Sequence, residues 1–258
     1  GGVLSPEGIQ RACGAIRDFQ ALLRQFDLDA PHVFATASLR NIRNTEEAVE
    51  RIREATGVGV DVISGELEAR LGYYGTQLAT PLRDGAVFDI GGGSTEILEV
   101  RGGEIRRAQS LPIGSLELFN LSVDGLWPKK KELERIRETV AAALKKARLP
   151  EHRAEKVCGV GGTARAVLKI ANAWLEKPAE NRVLTPAEVR QLTALLLERD
   201  HRARKLILRH CPDRVHTILP GLMLMDTLTD KLCRKELYIS PYGVREGYLC
   251  HKLLNAGT

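Results

Sequence analysis

Asp89 and Glu96 bracket three glycines and two hydroxyls in the run Asp89-Ile90-Gly91-Gly92-Gly93-Ser94-Thr95-Glu96. Apolar segments lead in through Val87-Phe88 and out through Ile97-Leu98-Glu99-Val100. Three adjacent glycines inside a strand pattern cost conformational entropy and give no packing. A tight hairpin turn needs only one or two of them. A third makes sense where the backbone turns sharply and a ligand approaches its N–H groups, because successive N–H groups form an anion-binding concavity. Ser94 and Thr95 add hydroxyl donors, and Asp89 and Glu96 add carboxylates that suit a hard cation such as magnesium. Anion donors beside metal-type carboxylates are what phosphoryl transfer requires. The bland alternative is a glycine-rich turn, with Asp89 capping it and Glu96 pairing across strands.

Other residues fit the same chemistry with open alternatives. Gly159-Val160-Gly161-Gly162-Thr163 follows an apolar strand and precedes a helix. With Ala164 it fits a loose dinucleotide fingerprint, but the acids about 20 residues on, Glu176 and Glu180, fall at a helix end and in a loop rather than at a second strand. A second phosphate-facing loop is the preferred reading. Arg40 follows a strand end, where its fork can grip phosphate oxygens; Arg43 could serve instead. Glu68 lies early on a helix that follows a strand, a normal place for a cleft residue, and Glu66 is its decoy. Arg245 and Glu246 could line a cleft or form an ion pair. The runs Lys129-Lys130-Lys131 and His201 to His210 read first as solvated basic faces.

The elements that must position these residues alternate. Ser5-Pro6-Glu7 starts a helix whose apolar residues recur from Ile9 to Phe26 at three-to-four spacing. His32 to Ala37 and Val58 to Ile63 read as strands. Thr45 reads as the cap of a helix with Glu46 and Glu47 in its first turn, and Glu66 to Leu78 as another helix. A hairpin spans Gly85 to Ile105. Helices follow over Pro128 to Leu149 and from Thr163, from the capping box Thr185-Pro186-Ala187-Glu188, within Pro212 to Leu232, and over Val244 to Leu254. Strands are expected at Lys156 to Val160 and Leu237 to Ser240. This alternation is an α/β signature.

Composition narrows the class. At 43% hydrophobic and 28% charged residues in 258, the chain has an ordinary globular balance. No apolar run reaches the length of a membrane span, so no membrane role is expected. Five widely spaced cysteines point to reduced thiols and a cytoplasmic setting. A net charge of +5 suits a polyanionic partner. Aromatics at 5% and no RNA-binding aromatic motif argue against a specific nucleic-acid partner.

The Asp89 to Glu96 run resembles the second phosphate-binding loop of the exopolyphosphatase / guanosine pentaphosphate phosphohydrolase family. Four segments extend the resemblance in order: Phe34-Ala35-Thr36-Ala37-Ser38-Leu39-Arg40 with Asn44, Ile63-Ser64-Gly65-Glu66-Leu67-Glu68-Ala69-Arg70, Gly159-Val160-Gly161-Gly162-Thr163-Ala164-Arg165, and Val244-Arg245-Glu246-Gly247. The resemblance implies a two-lobed α/β fold of the actin, hexokinase and Hsp70 (ribonuclease H-like) superfold, with a cleft between lobes. The first lobe would span 1–71 and the second 72–258, hinged near Leu71 to Gly75, with helix 244–258 a candidate to pack back on the first lobe. It implies Glu68 as the base that activates water and Arg40 as its catalytic companion. Gly91, Gly92, Gly93, Ser94, Thr95, Gly161, Gly162 and Thr163 would bind phosphate. Asp89 and Glu96 would hold Mg2+ or another divalent cation. Inorganic polyphosphate is the first expected substrate and guanosine pentaphosphate the second, with guanosine tetraphosphate a further ligand and a homodimer expected. A non-catalytic polyphosphate- or alarmone-binding protein, or a kinase of the superfold, is the alternative. Family members open with an Asp-x-Gly-Ser-Asn-Thr loop, whereas this chain begins Gly1-Gly2-Val3-Leu4-Ser5-Pro6. The first lobe is therefore expected to be incomplete at its N-terminus, in a fragment or a shortened member of the two-domain form.

Overall fold

A computed structural model describes residues 2–254. The chain divides into two compact units, residues 1–65 and 66–258. In the first unit, α1 (Pro6–Gln25) begins where sequence logic puts it: Ser5 Oγ accepts the Gly8 N–H at 3.2 Å, and Pro6 needs no hydrogen-bond partner for its nitrogen. Ile9, Cys13 and Ile16 are buried against Ala48 and Ile52 of a second helix. Ala12 and Leu23 are half-buried, and the rest of the apolar stripe is exposed. The second helix stops at Thr56, whose carbonyl takes the Gln20 amide, and Phe19, Leu22 and Phe26 stay exposed.

Two strands, β1 (Val33–Ala35) and β2 (Val60–Val62), pair in parallel over three rungs. The expected strand to Ala37 is shorter because β2 offers no further rung, and the chain turns into the short helix α2 (Ala37–Arg40). Arg40 therefore ends a helical turn rather than following a strand, and its Nη1 donates to the Ile63 carbonyl at 3.0 Å. Thr45 does not cap α3 (Thr45–Thr56) but is its first residue, with its hydroxyl turned back to the Leu39 and Ile42 carbonyls. Asn44 precedes it and works elsewhere. Its side chain accepts the Leu4 N–H at 2.9 Å and donates to the Leu4 carbonyl at 3.0 Å.

The second unit starts with α4 (Gly65–Gln77) and continues as a meander, β3 (Gly85–Ile90), β4 (Thr95–Arg101) and β5 (Glu104–Leu111). Next come α5 (Ser115–Ser122), which periodicity did not reveal, and α6 (Lys130–Lys146). The positive start of α6 is offset locally, because Glu132 accepts the Lys129 N–H at 2.6 Å and the Asp124 N–H at 3.2 Å. Strand β6 (Ala154–Val160) passes directly into α7 (Gly161–Trp174), so the expected glycine loop between them is the helix start itself. The chain continues through β7 (Val183–Leu184), α8 (Pro186–Leu197) with the expected Thr185–Glu188 capping box, α9 (His201–His210) and α10 (Ile218–Leu232). It ends in β8 (Cys233–Ile239), α11 (Val244–Gly247) and a π-type turn over Tyr248–Leu254. The last four residues of the expected helix 244–258 lie outside the described residues. Among the described residues no helix is long and apolar enough to cross a membrane.

Six strands form one mixed sheet in the order β5-β4-β3-β6-β8-β7. Strands β3, β6 and β8 run parallel, while β4, β5 and β7 are antiparallel to their neighbours. This mixed α/β sheet differs from the all-parallel sheet a dinucleotide fingerprint would imply. Alternation sorts the side chains. Phe88, Ile90 and Ile97 join the large core under α5 to α10, while Val87, Leu98 and Val100 pack with Ala69 and Tyr73 of α4. On that second face α4 meets α11 backbone to backbone. A Cβ on Gly75 would overlap the Gly243 carbonyl, and one on Gly247 would overlap that of Leu71.

The Asn44 bonds give a test. Asn44→Ala should cost about 1–3 kcal/mol, since both Leu4 backbone groups lose their partner. Asn44→Ser, a good cap in its own right, should cost nearly as much. Denaturant midpoints measure both; full stability in the serine variant would return the residue to simple capping.

Candidate functional site

Asp89 and Glu96 stand directly opposite one another in the β3–β4 ladder. Period-two alternation puts Asp89 on the Val87 side and Glu96 on the Leu98 side, the face that α4 covers. Glu68 comes one residue before Ala69, which packs on that face, and is buried. Three carboxylates predicted from two separate motifs are thus brought together in the second unit. Like charges directly opposite across a ladder destabilise it. The proton equilibria are set mainly by burial and by Glu68. Burial, then the Glu68 charge, pushes Asp89 up to about 7, against the pull of Arg165. Burial and Glu68 likewise raise Glu96, although Ser110 donates to its Oε1 at 2.7 Å and Ser94 also bonds to it. Ser94 thus serves Glu96 from within the turn.

The glycine turn is aimed by its own carbonyls. Gly91 N–H donates to Ser94 O at 3.0 Å and closes the turn. The Gly91 carbonyl accepts from Ser115 N–H at 2.9 Å, and the Gly92 carbonyl from Leu116 and Glu117 N–H at 3.0 and 2.9 Å. Both carbonyls therefore point at the start of α5. In a trans peptide the next N–H points the opposite way. The N–H groups of Gly92 and Gly93 must then point together, away from α5. Thr95 is fully buried and donates to the Ile113 carbonyl at 2.7 Å, so its hydroxyl supports the turn.

Parallel strands β3 and β6 lie side by side in the middle of the sheet, and their carboxyl ends are where ligands of open α/β sheets bind. Gly161 has φ +93°, and a Cβ there would overlap Asp89 Oδ1. Glycine lets the start of α7 approach the carboxylate closely, and that helix end favours negative charge. Beside the turn lies a cleft of about 360 Å³, lined by Ile90, Gly91, Gly92, Gly162, Arg214 and His216 among others. Arg214 packs over Gly162 and pairs with Asp213 at 3.6 Å. Thr163 is buried, its hydroxyl 3.5 Å from that of Ser115. Sequence reasoning missed Arg214 and His216. They lie in an irregular stretch, Cys211-Pro212-Asp213-Arg214-Val215-His216, that carries turn signals and no motif. Arg165 was visible in its motif but given no role. Arg40 lies in the first unit and is placed there by its bond to Ile63.

Among the described residues no three His, Cys, Asp or Glu side chains are arranged to hold a metal ion. The opposed pair Asp89 and Glu96 supplies two carboxylates. That fits magnesium, which keeps several waters and takes its remaining oxygens from a phosphate ligand.

A sequence model of the Ppx/GppA phosphatase family matches residues 1–256. Exopolyphosphatase 1 of Mycobacterium bovis and of Mycobacterium tuberculosis are each 25% identical over 259 residues, covering 98% of this chain and 75% of the relative. A crystal structure of an exopolyphosphatase from Cytophaga hutchinsonii superposes with a TM-score of 0.84 at 22% identity, over 98% of this chain and 84% of that one, and shares the fold. The Aquifex aeolicus member of the Ppx/GppA family gives a TM-score of 0.77 at 26% identity, over 100% of this chain and 85% of that one.

Two outcomes test the geometry. A Cβ on Gly92 would meet only Leu116 Cβ, at 3.7 Å. Gly92→Ala should therefore stay within about 0.5 kcal/mol of the wild type, whereas Gly161→Ala, strained and pressed on Asp89, should lose more than about 1 kcal/mol. Chemical denaturation compares them, and equal losses would contradict the placement of Gly161. The second outcome concerns pH. The folded carboxyls hold their protons to near neutrality, while in the unfolded chain they lose them near pH ~4. Between those limits the folded state binds more protons, so stability falls as pH rises from about 4 through about 7. In chelator-containing buffer, melting temperature should decline over that window, and Asp89→Asn should flatten the decline. An unchanged slope in Asp89→Asn would show that the pair does not carry this cost.

Proposed function

The chain belongs to the Ppx/GppA phosphatase family, and from that premise we propose that it hydrolyses the terminal phosphoanhydride bonds of inorganic polyphosphate, with guanosine pentaphosphate as second substrate. The observation that carries this reading is the convergence of Glu68, Asp89 and Glu96 beside a turn whose Gly92 and Gly93 N–H groups point together. Phosphoanhydride hydrolysis needs an oriented water, donors on the transferring phosphoryl and a counter-charge. Glu68 is the base that orients water and accepts its proton. It is the carboxylate set on a helix rather than in the strand pair, and the two strand carboxylates face each other. The N–H groups of Gly92 and Gly93 and the start of α7 receive phosphoryl oxygens, since all are backbone donors that form stronger bonds to anions than to neutral acceptors. Magnesium, held by Asp89 and Glu96, would supply charge neutralisation for the developing phosphoryl charge. The part given to Arg40 rests on the motif resemblance alone.

Polyphosphate is preferred over a nucleotide on chemical grounds. The cleft beside the turn presents Arg214 and His216, and none of its lining residues is Phe, Tyr or Trp to stack on a base. Its mycobacterial relatives are named exopolyphosphatases.

Phosphate release from polyphosphate in the presence of magnesium tests the reading. Glu68→Gln should lower kcat by at least about a hundredfold, the usual reach of a general base, with little change in polyphosphate binding. Glu66, exposed and paired with Arg70 at 2.9 Å, is the control. Glu66→Gln should stay within a few-fold of the wild type. Equal effects at the two positions would remove Glu68 from the role of base.

A further inference from the structure

A second cationic feature lies on the outer side of α7. A groove of about 430 Å³ is lined by Arg165, Lys169, Lys177, Arg182 and His210, with Asn172 between them. Three independent segments contribute: α7 itself, the stretch leading into β7, and the last residue of α9. Lys177 is paired with Glu188 at 2.6 Å. No acidic residue lines the groove. Arg165 and Lys169 are four apart on the helix, so they stack along one face about one 5.4 Å turn from each other. Arg165 sits close to the start of α7, where a cation opposes the helix dipole. It is also within electrostatic reach of Asp89. Burial, then the charges of Arg209 and Lys169, hold His210 below the usual histidine range. The like charges are thus close enough to repel one another. A fold gains nothing from gathering them unless an anion offsets the cost. None of the lining residues is Phe, Tyr or Trp, so the groove has no large aromatic platform for a base.

We infer that this groove binds a stretch of a linear phosphate chain away from its reacting end, and thereby makes turnover depend on chain length. The inference rests on the proposed polyphosphate reaction for its setting, and it extends that reading to a site outside the carboxylates and glycine turns. Point charges at irregular heights suit a flexible polyanion, which needs charge and little shape, and such binding is driven by release of counterions.

Lys169 is exposed and Arg182 half-buried, and neither carries a structural ion pair among the described residues. In the full chain, the double variant Lys169→Ala, Arg182→Ala should raise KM for long-chain polyphosphate about tenfold, as expected for two exposed charge contacts. The salt slope of long-chain binding should fall by about one to two. KM and kcat for tripolyphosphate should be unchanged. The charge-keeping pair Lys169→Arg, Arg182→Lys should restore the long-chain KM. A rise in KM that is the same for both chain lengths, or no rise for the long chain, would overturn the inference. So would an RNA oligonucleotide of equal charge that displaces long-chain polyphosphate as well as polyphosphate displaces itself. Binding of labelled long-chain polyphosphate to Glu68→Gln, with and without the two groove substitutions, reads the groove without turnover. Failure of the wild type to release phosphate from any polyphosphate would overturn the proposed reaction, while loss of labelled-chain binding in the groove variant would still uphold the groove.

Discussion

Two carboxylates held face to face in the interior of a sheet are the constraint around which the second unit is arranged. The β3–β4 register sets Asp89 opposite Glu96. Neither can be fully hydrated, and a third acid, Glu68, approaches from α4. Buried like charges are relieved only by protons, cations or donors. The structure supplies partial relief of each polar kind: the Ser110 and Ser94 hydroxyls on Glu96, the Arg165 charge near Asp89, and the start of α7 set against it by Gly161. What remains is relieved by protons, which Asp89 and Glu96 hold well above the usual carboxylate range. Sites that tolerate such an imbalance are where function concentrates.

The backbone around these acids is as constrained as the acids. The Gly91-Gly92-Gly93 turn is tied to α5 by its carbonyls, and that tie fixes the direction of the next N–H groups through the planarity of the peptide. The turn is therefore preorganised, which is what electrostatic stabilisation of the proposed phosphate ligand requires. Thr95 anchors the turn from below through Ile113, and the α4–α11 backbone contact at Gly75 and Gly247 fixes the helix that carries Glu68. Each residue of the Asp89 to Glu96 motif thus has a physical task, though not always the one its type suggests.

Charge is distributed unevenly over this unit. The carboxylates occupy the α4 face of the sheet, while Arg214 and His216 stand by the cleft near Gly162 and a separate group of cations follows α7. The net charge of +5 says nothing of this separation. A polyanion meets its attraction at the periphery and its repulsion at the acids, a repulsion that protons or a bound cation would reduce. The proposed magnesium would act at the acids of this layout.

Much of this was legible in the chain itself. Local signals mark the helix starts at Ser5 and Thr185, and alternation marks β3, β4 and β6, because caps and period-two patterns act over a few residues. The ordered motifs carried the family and the carboxylates Glu68, Asp89 and Glu96. Tertiary structure decided the rest. Asn44 displaced Thr45 from its expected role by bonding to Leu4, 40 residues away. The strand from His32 shortened because β2 offers three rungs. Helix α5 escaped notice because its apolar residues, Leu116, Leu118, Phe119 and Leu121, spread around the helix and make no stripe, and its start is fixed by glycine carbonyls far back in the chain. Thr95 could be read as a phosphate donor until packing turned its hydroxyl to Ile113. Arg214 and His216 carry no local signal, since their place beside Gly162 depends on how α9 and α10 pack. The sequence alone determined which groups could do chemistry, since residue type and short spacing are local properties. Which of those groups face one another, which are spent on the backbone, and which cations gather around α7 follow from sheet register and helix packing, and these are set by contacts between residues distant in the chain.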